Sequence, residues 1–506
     1  MDNKLKRSTP EEQGVLSAGI CSFIEQVANE KIDLHSFMFL RHAQVIAEGW
    51  WSPYQSENKR YVYSLSKSFT STAVGFAVAE GLLGLNDKII NFFPDDLPDE
   101  VDENLAAMCV KDLLTMTTGH AFDSGNAIMD PAKENWVRTI LSVPICYTPG
   151  TQFLYDTGAS YLLAVIVQKV TGKTMVDYLN EKLFKPLGIT DFSWDYCKQG
   201  YNTGGWGLSI RTEDIAKFGL LYQQMGLWEG KSLLPREWIE EATSSMVCND
   251  NGDRDNKPND WNQGYGYQFW RCQNDAYRAD GFMGQLCIIM PSQEAVIVIT
   301  SEVGDVQNVM NLVWKHLLPA IKDAPINIDP AKKEILKRKL TSLELRMPVG
   351  IVNRQTESEI SGKHYKGEES TDEVQSIIIQ FNNDTCIFKL SDHRGDYHIE
   401  CGRDKWINND ILLPGMAPNI SRLLWANNEM NGPQKISAKY VWIDQNTLMI
   451  RLQYLETAHY ENITCSFSGK KLYMKMLPSF YIADHPILAE KKIGYMGIFI
   501  QNEDKE

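Results

Sequence analysis

Apolar and polar positions fall into three regimes along the chain. Near the start, "SFMFL" (36–40) and "QVIAEGWW" (44–51) are apolar runs split by a short polar turn, the pattern of an antiparallel hairpin. A second pair, "QLCIIM" (285–290) and "AVIVIT" (295–300), flanks the turn "PSQE" and precedes the helix-like stretch 308–321. Between the two hairpins the period is helical, as in the amphipathic "ASYLLAVIVQKVTG" and "TEDIAKFGLLYQQM". Strands at both ends of a helical insert predict an α+β domain with one antiparallel sheet built from both ends, closing near Asp323 and spanning residues 1–325.

Residues 326–348 read as a charged connecting helix, with Ile335, Leu336, Leu340 and Leu343 on one stripe between Pro330 and Pro348. Beyond it, residues 349–506 change to short alternating runs such as "QSIIIQF", "TCIFKL", "ISAKYVWI" and "TLMIRLQYL", spaced by Asn, Asp and Gly turns. That pattern predicts a smaller antiparallel β domain, a barrel or sandwich.

Composition narrows the function classes. A chain of 506 residues holds two or three domains and a large core without metals or disulfides. The net charge of −15 argues against a nucleic-acid partner, whose binding rests on Lys and Arg displacing counterions. Ten cysteines from Cys21 to Cys465 include no C-x-x-C pair, and nine histidines include no H-E-x-x-H, so no metal site is assigned. The first residues lack an apolar stretch of signal-peptide type, and no apolar run reaches membrane-spanning length. The expectation is a cytoplasmic protein with reduced thiols and no membrane partner.

One stretch carries candidate chemistry: "YVYSLSKSFTSTAVGFAVAEG" (61–81), a strand-like lead followed by a helix apolar on nearly every side. Within it, Ser64 stands three residues before Lys67, so the amine can reach back toward the hydroxyl from one helical turn later. Free N–H groups at a helix start favour developing negative charge. Burial of a lysine leaves some neutral amine to accept a proton, which activates a serine without histidine. The same spacing recurs at Ser56/Lys59 and Ser468/Lys471, and an isolated match is more often a capped helix with a solvated lysine. The rest of the chain has to decide.

It does so through an ordered series: "SLSKSFTS", "LLTMTTGH" (113–120), "PGTQFLYDTGASYLLAVIVQKVTG" (149–172), "GGWGLSIRTEDIAKFGLL" (204–221), "GYGYQFW" (264–270) and "RADGFMGQLCIIMP" (278–291). Together these segments resemble the class C β-lactamase-related serine hydrolases over about the first two-thirds of the chain. The resemblance implies a β-lactamase/transpeptidase-like α+β domain, with the C-terminal part like the lipocalin-like barrels appended in some members. It implies Ser64 as nucleophile and Lys67 and Tyr155 as proton-transfer groups, leaving open which of the two takes the first proton. The oxyanion hole would be the backbone N–H groups of Ser64 and Phe282. Thr157, Ala279 and Gly281 would fall at substrate-facing motif positions, with Gly281 allowing close backbone approach. No cofactor is implied. His120, in the T-T-G-H segment, is read as a loop support and not as a site residue.

Two departures bear on substrate. Thr157 stands where the family carries Asn, exchanging an amide for one hydroxyl. Ala279 stands where it carries Lys, removing the cation that faces a substrate carboxylate, and Arg278 on the opposite strand face cannot simply replace it. The expected activity is therefore hydrolysis of a small ester or amide through an acyl-enzyme, not efficient β-lactam hydrolysis. Two alternatives stay open: a peptidase for D-amino-acid substrates and a non-catalytic penicillin-binding-like sensor. The C-terminal domain reads equally as an active-site wall, a ligand module or a stabilising domain.

Overall fold

The computed structural model describes residues 4–130, 132–250, 259–327, 329–368, 374–392, 395–411, 434–479 and 495–502. The chain divides into two compact units, the first running to Leu343 without Ser52–Tyr54, and the second holding those three residues and the chain from Glu344 onward.

The first unit is organised on a six-stranded antiparallel sheet. Its strands are β1 (Leu34–Arg41), β2 (Gln44–Trp50), β3 (Trp270–Arg271), β4 (Tyr277–Gly281), β5 (Gln285–Met290) and β6 (Ala295–Ser301), in the order β2-β1-β6-β5-β4-β3. Both hairpins are where the apolar runs predict them, and the β1–β6 pairing, from Leu34↔Ser301 to Arg41↔Ala295, joins the two ends of the unit. Every residue of β1, β5 and β6 is buried, because helices cover both faces. On one face Phe23 of α1 (Ser17–Asn29) packs on Phe37 with ring centroids 5.3 Å apart. On the other, the Cys287 thiol of β5 lies against Ile215 and Gly219, within the helix Thr212–Gln223. Each large aliphatic or aromatic side chain buried there contributes roughly 1.5–3 kcal/mol.

The helical insert supplies α2 (Ser66–Ala79), α3 (Thr157–Thr171) and α4 (Thr212–Gln223), with α2 and α3 packed side by side. A small three-stranded sheet pairs Lys59–Tyr61 and Ser193–Trp194 with Leu208–Arg211. The charged segment expected as a connector forms α5 (Pro330–Thr341), which packs within this unit against α1 and β2.

The second unit is a closed β-barrel of nine strands. These are β7 (His364–Gly367), β8 (Val374–Asn382), β9 (Thr385–Asp392), β10 (Gly395–Gly402), β12 (Gln434–Trp442), β13 (Thr447–Tyr454), β14 (Tyr460–Ser468), β15 (Lys471–Pro478) and β16 (Tyr495–Gln501), with β11 (Ile407–Ile411) paired along β12. The ring runs β10-β9-β8-β7-β16-β15-β14-β13-β12 and closes through the parallel bridge Gly402↔Lys439. Alternating burial along β9, β14 and β15 turns every second side chain inward. Ile377, Phe388, Trp442, Ile450, Leu472 and Phe499 fill the interior, which is a packed core.

Candidate active site

The turn that carries Ser64 begins at a strained residue. Tyr63 has φ of 48°, a left-handed conformation rarely adopted by a bulky aromatic. Its ring is buried, edge-on to Tyr61 at 4.9 Å and to Phe282 at 5.8 Å. The strand expected to run straight into the serine therefore stops at Tyr61, and Ser64 sits on a 3-10 turn, Tyr63–Leu65, ahead of α2. From Arg60 to Ala77 every residue is buried except Ser64.

Helix α2 is enclosed on all sides from Ser66 to Ala77, as its composition predicts, and most of its polar side chains find internal partners, the buried Ser71 hydroxyl being an exception. Ser68 donates to the Gln268 carbonyl at 2.7 Å, and Thr70 donates to that of Gly204 at 2.7 Å. Lys67 is 2% exposed, and its ammonium donates to Ser64 Oγ at 3.2 Å and to the Gly205 carbonyl at 2.8 Å. Burial pushes this ammonium down to about 8, against the pull of the Asp123 and Asp156 carboxylates. Gly205 fits by having no side chain: a Cβ there would crowd the Thr157 methyl at 2.8 Å and the Lys67 ammonium at 3.3 Å.

Tyr155 enters at the start of α3. The Lys67 ammonium lies 4.9 Å from its ring centroid, and the Ser64 side chain is near enough to its hydroxyl to act on its ionisation. Burial raises the phenol well above its ordinary value, and the Ser64 contact opposes that rise. The ring stacks on Trp270 at 5.6 Å. Tyr155, distant in sequence, is thus brought beside Ser64 and Lys67.

Behind them lies a buried carboxylate pair. Asp156 caps α3 and accepts from the amides of Ser124 and Gly158, each at 3.0 Å, from the Ser124 hydroxyl at 2.6 Å and from Thr118 Oγ1 at 3.0 Å. His120 Nδ1 lies 3.0 Å from the same carboxylate, so the histidine set aside as a loop support is indeed held in this network. Burial works against ionisation of Asp156, but its hydrogen bonds with His120 and Ser124 hold it below its ordinary value. Asp123 accepts from the amides of Thr157 at 2.7 Å and Gly125 at 2.9 Å. Burial, with the Asp156 charge adding to it, pushes Asp123 up to about 6.

Strand β4 forms the other side. A Cβ at Gly281 would collide with the Val62 carbonyl and reach Leu65 N at 3.2 Å, so only glycine lets this strand lie against the Ser64 turn. Phe282 follows, 41% exposed, and among the described residues its amide makes no backbone hydrogen bond. Thr157 is buried at 7% exposure beside Gly205. Ala279 is placed differently from the expectation. It has no exposed surface and pairs with Cys287, whose side chain faces α4, so strand alternation turns its methyl into the core and away from a ligand. Arg278 and Asp280 take the opposite face, joined by an ion pair of 2.7 Å.

Sequence reasoning missed Gly205, Asp123, Asp156, Trp270 and the Arg278–Asp280 pair as neighbours of the site. Asp156 was findable, since an Asp directly before a helical run is an N-cap signal. The carbonyl of Gly205 had no local signal, because its partner Lys67 is 138 residues away.

The chain is similar to known proteins. The family model described as Beta-lactamase matches residues 24–309, more than half of the chain. Among curated relatives, the lovastatin esterase of Penicillium rubens is 25% identical over 174 residues, 29% of this chain and 42% of that protein. The putative D-alanyl-D-alanine carboxypeptidase of Escherichia coli is 26% identical over 153 residues, 28% of this chain and 35% of the relative, so the chain spans less than half the length of either protein. The 6-aminohexanoate-dimer hydrolase of Paenarthrobacter ureafaciens is 24% identical over 295 residues, 53% of this chain and 73% of the relative. A putative 6-aminohexanoate-dimer hydrolase from Bacillus anthracis shares the fold at a TM-score of 0.51 and 17% identity, covering 62% of this chain and 86% of its own. With a matching family model over more than half its length, the chain belongs to the Beta-lactamase family.

Proposed function

We propose that the protein hydrolyses a small ester or amide through an acyl-enzyme on Ser64. The observation that carries this reading is the buried Lys67 ammonium, 3.2 Å from the one partly exposed residue of its segment and pushed down to about 8. Near neutral pH a fraction of Lys67 is neutral and can take the Ser64 proton as the oxygen attacks the carbonyl carbon. Tyr155, raised by burial, stays protonated under those conditions and serves as a donor and relay, so Lys67 is the first base in this reading. The Ser64 and Phe282 amides receive the tetrahedral oxygen. The bond to the leaving group then breaks, the leaving atom takes the proton from Lys67 by way of Tyr155, and water cleaves the Ser64 ester by the same steps reversed. No cofactor takes part in these steps. Relatives named as an esterase and as a dimer hydrolase support the substrate range.

The test is intact mass after incubation with a fluorophosphonate and, separately, with penicillin. The expected outcome is one adduct at Ser64 with the fluorophosphonate and none that persists with penicillin. Folded protein that takes neither reagent would support the non-catalytic sensor instead. The carboxypeptidase-named relative keeps one further assay in view, and release of D-alanine from short peptides would favour the peptidase reading.

A further inference from the structure

The charge placed beside the nucleophile turn is negative. Along β4, Tyr277 and Ala279 point into the core under α4, while Arg278 and Asp280 share the other face, and Gly281 packs on the Ser64 turn. The cation of that face is sealed in. Arg278 has no exposed surface, donates Nε to Asp280 Oδ2 at 2.7 Å and Nη1 to the Asp260 carbonyl at 2.7 Å, and lies 4.4 Å from the Trp261 ring centroid and 5.6 Å from that of Trp270. Its Nη2 is buried without a partner, so this donor is not open to direct contact with a ligand.

Asp280 is the opposite case. Only Oδ2 is used by Arg278; Oδ1 makes no hydrogen bond to the described residues, and 8% of the side chain stays exposed. Burial raises the Asp280 carboxyl above its ordinary value, and the Arg278 guanidinium, held at 2.7 Å, opposes that rise. Beside it, Tyr155 stacks on Trp270 at 5.6 Å, and Trp270 stands edge-on to Trp261 at 5.0 Å, a cluster whose ring faces already meet Arg278 and Lys67. The remaining cation near the nucleophile, Lys67, is 2% exposed and turned toward Ser64 and Gly205. A substrate carboxylate would meet the second oxygen of Asp280 with no open donor beside it, whereas an ammonium would meet an oxygen able to accept from it.

We infer that Asp280 determines specificity in this site, its free oxygen pairing with a positively charged nitrogen, so that the preferred substrates are small esters or amides bearing an ammonium group. This rests on the hydrolase reading above and names the substrate class for it. Arg278 is the positioning residue that holds Asp280 in place.

The experiment compares esters that differ only in charge. One trio carries the charge on the alcohol half: acetylcholine, its uncharged isostere 3,3-dimethylbutyl acetate, and the acetate ester of 3-hydroxypropanoate. The second carries it on the acyl half, as p-nitrophenyl esters of 4-(trimethylammonio)butyrate, 5,5-dimethylhexanoate and glutarate. The expected result is a preference in kcat/KM of about tenfold or more for the cation over its isostere in at least one trio, with the anion slowest. The Asp280→Asn variant should bring the cation and its isostere to within about twofold, and raising NaCl should shrink the preference of the wild type, which serves alone if the variant does not fold. Equal rates for the cation and its isostere in both trios, or a preference unchanged by Asp280→Asn in folded protein, overturns the inference while leaving the hydrolase reading intact. No turnover of any ester together with no fluorophosphonate adduct removes both.

Discussion

Each unit buries a charged side chain almost completely, and the two are partnered in opposite ways. In the barrel, Glu357 is 3% exposed; Arg403 Nη2 donates to both its oxygens at 2.7 Å, and Trp442 Nε1 donates to Oε1 at 3.0 Å. The Arg403 guanidinium, disfavoured by burial, is raised by this contact; its Nε and Nη1 are buried without hydrogen-bond partners, so it is the Glu357 carboxylate that the pair closes. In the first unit, Lys67 is 2% exposed, with one good acceptor in the Gly205 carbonyl, a longer contact to Ser64 and a ring face. Among the described residues no carboxylate comes within ion-pair distance of it. A buried carboxylate closed by a guanidinium fixes a structure, whereas a buried ion without a countercharge in contact is held near the pH where it changes charge. The difference marks which of the two regions is built for chemistry.

The largest effect should come from breaking the under-partnered side. Lys67→Met is expected to lower kcat/KM by about a thousandfold or more, because the Ser64 hydroxyl loses its base. The thermal midpoint should stay the same or rise, since the variant removes a buried charge whose desolvation opposes folding. In the wild type, kcat/KM should climb about tenfold per pH unit and level off above about 8, as the amine becomes neutral. A midpoint that falls by several degrees would make Lys67 a structural residue and erase the contrast with Glu357.

The closed side should respond in stability. Glu357→Ala leaves the Arg403 guanidinium buried without its carboxylate, which costs about 3–5 kcal/mol. Urea unfolding of the full chain should register this loss in the transition of the barrel. The double variant Glu357→Met, Arg403→Met should recover most of it, because the pair is then replaced by apolar volume. A single variant as stable as the wild type would show that the pair is not closed in the sense drawn here.

What the sequence made legible follows the same division between local and long-range signals. The two hairpins, the all-round apolar α2 and the Ser64/Lys67 spacing are local patterns, and each became the expected element apart from the Tyr63 turn, where a left-handed aromatic ends the strand early. In the barrel the alternating strands β8, β9 and β12 to β15 were readable. Strands β10 and β11 were not, since "GDYHIECG" and "INNDI" carry few buried positions to alternate. Ala279 was read for the lysine it lacks; the strand phase that buries its methyl and presents Asp280 depends on pairing with β5. Asp123, Gly205 and Glu357 act through partners distant in sequence, so no window around them carries the signal.

The smallest effect tests the comparison from within the barrel, where one carboxyl is less well partnered than Glu357. Glu461 has no exposed surface; Oε2 accepts from the Tyr454 hydroxyl at 3.1 Å, and Oε1 is buried without a partner. Burial pushes this carboxyl from an ordinary 4.5 up to about 8, with the tyrosine contact acting against it. Because the folded value is the raised one, its contribution to stability is complete below 4.5 and is lost as pH rises toward 8. The barrel should lose about 1.4 kcal/mol per pH unit over that window from this group, measured by urea unfolding at a series of pH values. Glu461→Gln, which cannot ionise, should remove that slope. If the slope survives in the variant, the proton is held elsewhere in the barrel, and Glu461 is not the residue that makes the barrel pH-sensitive.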